Sequence, residues 1–182
     1  DNSIGIGYGA SATVNDTIVI GYGSSVTAQY GVKIGVSGTV SAAAGIAIGQ
    51  NAIVSAVNGI AMGYTSNAIK TNALAIGTIA NANGIKSIAL GYNSVVATDY
   101  TAGIAIGSNT KANAIGSVMF GWAPDALGYI TNALANSIAF GVNSDVPTMY
   151  ITGGAGTTGT LGKVGIGSGS TVSATLHVNG DI

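Results

Sequence analysis

The sequence predicts an all-β protein, a parallel β-roll in which 14-residue coils stack into a solenoid, and three observations lead there. A tetrapeptide of large apolar, small, large apolar, glycine recurs along the chain. Its spacing is nearly constant. The residues between copies are too few, and too rich in Gly, Ser, Thr and Asn, for a helix pair.

The copies are IGIG at 4–7, IVIG at 18–21, VKIG at 32–35, IAIG at 46–49, IAMG at 60–63, LAIG at 74–77, IALG at 88–91, IAIG at 104–107, VMFG at 118–121 and IAFG at 138–141. The closing glycines are 14 residues apart six times running, then 16, 14 and 20. Each unit suits two strands of about five residues with tight turns between them, so one unit is one coil. Stacked in parallel at roughly 4.8 Å, ten rungs make a rod of about 48 Å.

Counting each rung from its first apolar residue, positions one and three are large and apolar throughout, which reads as the face turned into the coil. Positions seven and nine are small (Ala52 and Val54, Ala80 and Ala82) and face them from the second strand, whose positions eight and ten are mostly polar and outward. Position four is the corner, where only Gly fits a positive φ. Position two reads Gly5, Val19, Lys33, Ala47, Ala61, Ala75, Ala89, Ala105, Met119 and Ala139, nine of ten small or apolar, and period-two alternation turns it outward. A first strand apolar on both faces needs a second layer, and no helix supplies one. Another copy of the chain is the simplest layer, so the seven from Ala47 to Ala139 are expected to line a cyclic homo-oligomer interface.

Composition narrows the function. The chain has 30 Gly, no Cys, no Arg and no Glu, and its five Lys and six Asp leave a net charge of −1. Without a basic field, nucleic acid is not an expected partner. Without Cys there is no disulfide or thiolate metal site. No apolar run is long enough to span a bilayer. A chain opening at Asp1 with no leader is expected to be a fragment or mature product.

The IAIG-x-x-A-x-A pattern at 46–54 and 74–82 resembles the head repeats of trimeric autotransporter adhesins, over about residues 4–147. The resemblance implies a left-handed roll, a homotrimer and a head that binds host matrix or surfaces; Lys33, Met119 and Trp122 depart from the usual small or polar choices. A Gly/Thr-rich stretch at 152–162 leads to KVGIG at 163–167 and TLHVNGDI at 175–182, which resemble the segment of phage tail fibres and tailspikes that precedes a self-cleaving trimerisation chaperone. The expected organisation is therefore a roll of ten rungs over 1–147, a connector over 148–163 and the start of a C-terminal β segment over 164–182. The expected role is a structural and adhesive segment of an extracellular trimeric fibre, not an enzyme. A phage tail fibre that contacts a host receptor or glycan is the first reading and a bacterial adhesin head the alternative. A polysaccharide-degrading tailspike is the third.

Two departures from the period are candidate receptor loops. A two-residue insertion carries Asp99 and Tyr100; a six-residue one spans Trp122, Asp125 and Tyr129. Asp125 and Asp145, counted from their glycines, share position eight of consecutive rungs. That register would stack two carboxylates about 5 Å apart, suggesting a bound cation such as Ca²⁺ or the carboxylate pair of a glycosidase. A solvated face is the favoured reading of that pair, and no cofactor is otherwise expected. Position five carries Tyr8, Tyr22, Tyr64, Tyr92 and Trp122, read as corner packing for the tyrosines with Trp122 set apart. His177, the single histidine, reads as a packed strand residue, since one imidazole alone makes no metal site.

Overall fold

The computed structural model describes residues 2–153 and 163–166, and they wind as a coil with one sheet on each side. The first sheet takes the apolar tripeptide of every rung, ten parallel strands running from Ile4–Ile6 to Ser137–Val142. The second holds nine parallel strands, from Ser11–Ala12 to Ile130–Asn132. The tenth rung thus has no second strand among the described residues. Register follows the repeat: Leu74, Ala75 and Ile76 pair with Ile88, Ala89 and Leu90.

Strands are shorter than expected, mostly three residues in the first sheet and two in the second, because the corners take more of the coil. At the first corner Gly77 has φ 134°, and a Cβ there would overlap the carbonyl of Gly91 in the next rung. Two residues on, position six is left-handed as well, at Asn51, Thr65, Ile79, Asn93 and Asn109. Asn tolerates that region; a β-branched residue is strained in it. The second corner repeats the device at Asn58, Asn72 and Lys86.

The two faces of the first sheet are the reverse of the sequence expectation. Ala47, Ala61, Ala75, Ala89, Ala105, Met119 and Ala139 are all fully buried within their own chain. Opposite them lie Val40, Val54, Ala68, Ala82, Val96 and Ala112 of the second sheet, equally buried. Position two is therefore the core and not the face offered to another copy. Positions one and three point out; Ile34, Met62, Leu90 and Phe140 are exposed. The physical reason is volume. A coil of 14 residues brings its two walls so close that Ala against Val or Ala fills the gap at interior density, leaving no room for Ile and Leu. Alternation distinguishes two faces but does not say which is inside.

Several inward corner carbonyls accept from side chains. Ser66 Oγ donates to Gly63 O at 3.1 Å, Ser94 Oγ to Gly91 O at 3.2 Å and Thr110 Oγ1 to Gly107 O at 3.1 Å. The fourth rung has Ala52 at that place, and Lys33, reaching from the third rung, donates its Nζ to Gly49 O at 2.7 Å alongside the longer Ala52 N–H bond at 3.5 Å. A second bond runs to Ile34 O at 3.3 Å. Lys33 is wholly inside, and desolvation pulls its pKa below the ordinary 10.5.

At the far end the roll widens. Met119, Ala123, Ile130, Ala139 and Tyr150 form a second core. Asn132, inward at position nine, closes the last corner by bonding Val118 O, Ser137 Oγ and the Leu134 N–H. The chain then reverses: Met149–Thr152 pairs antiparallel with Ser137–Val142, and Lys163–Ile166 antiparallel with Met149–Thr152. The stretch expected as a connector over 148–163 thus begins with a strand that caps the roll, its Tyr150 side chain filling the core.

Candidate functional site

Three outer features could carry function: the apolar face of the first sheet, the two insertions, and the position-five corner.

The apolar face is continuous over the rungs. Large side chains at positions one and three stack in register, as Ile4 and Ile6 do on Ile18 and Ile20, and the Phe120 and Phe140 rings stack at 5.4 Å. A monomer seldom exposes an apolar strip of this length unless a partner covers it. The opposite sheet is mostly polar outside, Ile53 and Val95 apart, with Asn67 Nδ2 donating to Asn81 Oδ1 at 2.8 Å from rung to rung.

Both insertions are anchored to the rod, though the tip of the longer one, Asp125 to Gly128, is exposed. Tyr100 is half-buried and packs against the core, which corrects its reading as a protruding receptor residue. Its neighbour Asp99 is 74 % exposed at the side chain and pairs with Lys70 at 2.9 Å, an exposed contact worth about 0–1 kcal/mol. In the longer insertion a short 3-10 turn, Asp125–Leu127, is pinned back by a chain of hydrogen bonds. Tyr129 Oη donates to Asn93 Oδ1 at 2.8 Å, Asn93 Nδ2 to Asn109 Oδ1 at 2.7 Å, and Asn109 Nδ2 to Asp125 Oδ1 at 2.7 Å. Lys111 Nζ lies 5.7 Å from the Tyr129 ring centre. Of the four receptor candidates, Trp122 and Asp99 are exposed, Asp99 paired with Lys70, while Tyr129 is half-buried as a clasp and Tyr100 packs against the core. Asn93 and Asn109 were missed by sequence reasoning; the signal was Asn at position six in successive rungs, directly upstream of the insertion.

Asp125 and Asp145 do not share a register. Thr110 and Lys111 pair with Ile130 and Thr131, so Thr131 holds position eight and Asp125 lies within the insertion, while Asp145 sits in the turn after Ser137–Val142. The six extra residues enter before the second-sheet strand, which breaks a count made from the glycine. No group of three or more His, Cys, Asp or Glu gathers among the described residues. His177 and residues 175–182 lie outside the described residues.

The position-five corner is more open than corner packing implies. Tyr64, Tyr92 and Trp122 are 49 %, 45 % and 42 % exposed, and Tyr8 and Tyr22 stack on each other at 5.7 Å.

A parallel roll of short coils with a closed small-residue core defines a repeat-built β-solenoid. Residues 1–24, 41–66, 68–94 and 101–122, more than half the chain, match the family model of the YadA head domain repeat (2 copies). The chain belongs to this family, the head repeats of trimeric autotransporter adhesins, which are extracellular and adhesive, not enzymatic. The match pauses at 25–40, the rung that buries Lys33, and at 95–100, the shorter insertion; it ends at Trp122, where the longer one begins. No curated protein and no solved structure matches the chain, and no helix among the described residues is long and apolar enough to cross a membrane.

Proposed function

We propose that this chain is the adhesive head segment of a homotrimeric bacterial surface adhesin, with three copies packed through the outer face of the first sheet. The observation that carries the reading is the ladder of large apolar side chains at positions one and three, which a lone roll leaves in water. Burying such a side chain is worth about 1.5–3 kcal/mol relative to full exposure, so a face of ten rungs strongly favours association. Membership of the head-repeat family supports three as the number. The mechanism is passive: rung-to-rung hydrogen bonds and a shared apolar axis hold a stiff rod that presents its corners and polar sheet to a surface.

The test is the mass of the purified chain by light scattering, beside Leu90→Lys, which alters only the outer face. A trimer that falls to a folded monomer on that substitution, with its β-sheet circular dichroism intact, is the expected result. A wild-type chain that stays monomeric and soluble at high concentration overturns the reading.

A second reading, the shaft of a phage tail fibre, is favoured by the VGIG and LHVNG residues at 163–182. It shares the trimer and the roll. A self-cleaving chaperone encoded downstream of Ile182 would decide for it; a coiled-coil stalk and membrane anchor would decide for the adhesin.

A further inference from the structure

The first corner carries aromatic rings on alternate rungs over its second half: Tyr64, Tyr92 and Trp122 occupy position five of rungs five, seven and nine, with Thr78 and Ser108 between them. We infer that this corner is a binding platform for an uncharged, extended, β-linked polysaccharide, with the three rings stacking on sugar faces and the two hydroxyls bonding the residues between.

Three properties carry the inference. The platform is rigid and in register, because each position-five carbonyl accepts from the N–H of position six in the next rung. The bonds run from Ile79 to Tyr64 at 2.8 Å, Asn93 to Thr78 at 2.9 Å, Asn109 to Tyr92 at 2.9 Å, Ala123 to Ser108 at 3.1 Å and Asn143 to Trp122 at 3.0 Å. The rings therefore recur at twice the strand spacing, about 9.6 Å. That repeat fits the disaccharide of an extended β-linked chain, in which successive sugars flip; it is too long for alternate side chains of an extended peptide, which recur at about 6.8 Å. Lastly, the five positions bear no charge, so an acidic glycan has nothing to pair with, whereas flat rings beside hydroxyls suit a neutral sugar with an apolar face and polar rim.

The inference deepens the adhesive reading and rests on it in one respect, that the corner stays open in the assembled fibre. Cellohexaose, chitohexaose and the α-linked maltohexaose are titrated into the intact 182-residue chain. Calorimetry is read alongside the fluorescence of Trp122, the single tryptophan. Binding of a β-linked hexamer but not of maltohexaose is expected, tighter than for the matching dimer. Tyr92→Ala should weaken it about five- to tenfold. The double variant Thr78→Tyr with Tyr92→Thr keeps the number of rings, moves the middle one by a rung and should weaken it as much. Absence of binding by either β-linked hexamer, equal binding of maltohexaose, or indifference to the double variant overturns the platform. Light scattering on the same samples separates the two proposals. A non-binding trimer sinks the glycan alone, a monomer sinks the assembly, and a change of mass in Tyr92→Ala assigns the rings to contacts between copies and overturns the platform too.

Discussion

In rungs four to eight the interior is Ala at position two against Ala or Val at position nine; in rung nine Met119 shares its core with Ile130 and, from the capping strand, Tyr150. Both regions are parallel, in register and free of unpaired buried side-chain polar atoms. The difference teaches that coil length sets interior width: the large apolar side chains Met119 and Ile130 share the core where the chain adds residues, and the one long side chain inside a regular rung, Lys33, is held by hydrogen bonds to backbone carbonyls. The extra residues of rung nine leave only a short exposed tip, Asp125 to Gly128. They deliver Ile130 in place of the Ala, Ser, Gly or Thr of earlier rungs, and are held at their base by Tyr129 and Asp125.

The largest expected effect comes from exchanging the two cores. Met119→Ala leaves a void among Ile130, Ala139 and Tyr150 and should destabilise the roll by about 3 kcal/mol, while Ala75→Met forces a long side chain into a gap sized for a methyl group, at about 2 kcal/mol. Urea unfolding followed by circular dichroism checks both. Equal tolerance of Met at residues 75 and 119 would show that the regular rungs can widen, and would break the comparison.

Lys33 sharpens it from within the regular half, where a long side chain lies inside without an insertion. It is held by the carbonyl that Ala52 leaves without a hydroxyl partner, and desolvation lowers its pKa. Below its folded pKa both states carry the proton; between that value and 10.5 the unfolded chain binds more, so stability should rise with pH through this window. Burial raises the Tyr150 pKa, so its contribution is complete below 10.0 and is lost as pH rises through the folded value. The two oppose each other above 10.0, and Lys33→Met isolates the first. The variant should lose the rise on the alkaline side and keep the fall, as read from denaturation midpoints between pH 8 and 11. An unchanged slope would mean that Lys33 reaches water.

Much of this was legible in the sequence. The period, the glycine corner and the mostly polar outward positions of the second sheet follow from Gly spacing and alternation, because one-coil register repeats them locally; the second corner, left-handed at Asn58, Asn72 and Lys86, does not. What was not legible depended on distances that no local pattern encodes. Ala75 and Ile76 alternate equally well with either one inside, and only the closeness of the opposite wall at Ala80 and Ala82 decides. The Tyr129 clasp depends on Asn93, 36 residues earlier. The strand Met149–Thr152 belongs to no repeat and forms because the last edge of the first sheet needs a partner.

The clasp itself should be a modest effect. Tyr129→Phe removes one hydrogen bond and keeps the ring under Lys111, at about 1 kcal/mol. The loss should appear as faster amide exchange over 122–129 with global stability nearly unchanged. If exchange speeds up throughout the roll instead, the loop is part of the core and not an addition to it.

The smallest effect has the opposite sign. Position six is left-handed in every regular rung; Asn fills it at 51, 93 and 109, but the sixth rung puts Ile79 there at φ 52°. A β-branched side chain in that region crowds the following carbonyl, and the penalty is about 1–2 kcal/mol. Asn fits the same backbone and would stand between Thr65 and Asn93 in the corner ladder, so Ile79→Asn should stabilise by about 1 kcal/mol, partly offset by the apolar area lost from a half-buried side chain. Chemical denaturation resolves the gain. A destabilised Ile79→Asn would mean that Ile79 packs against neighbours strongly enough to outweigh its strain, and would mark that corner as a contact surface between copies in the assembled fibre.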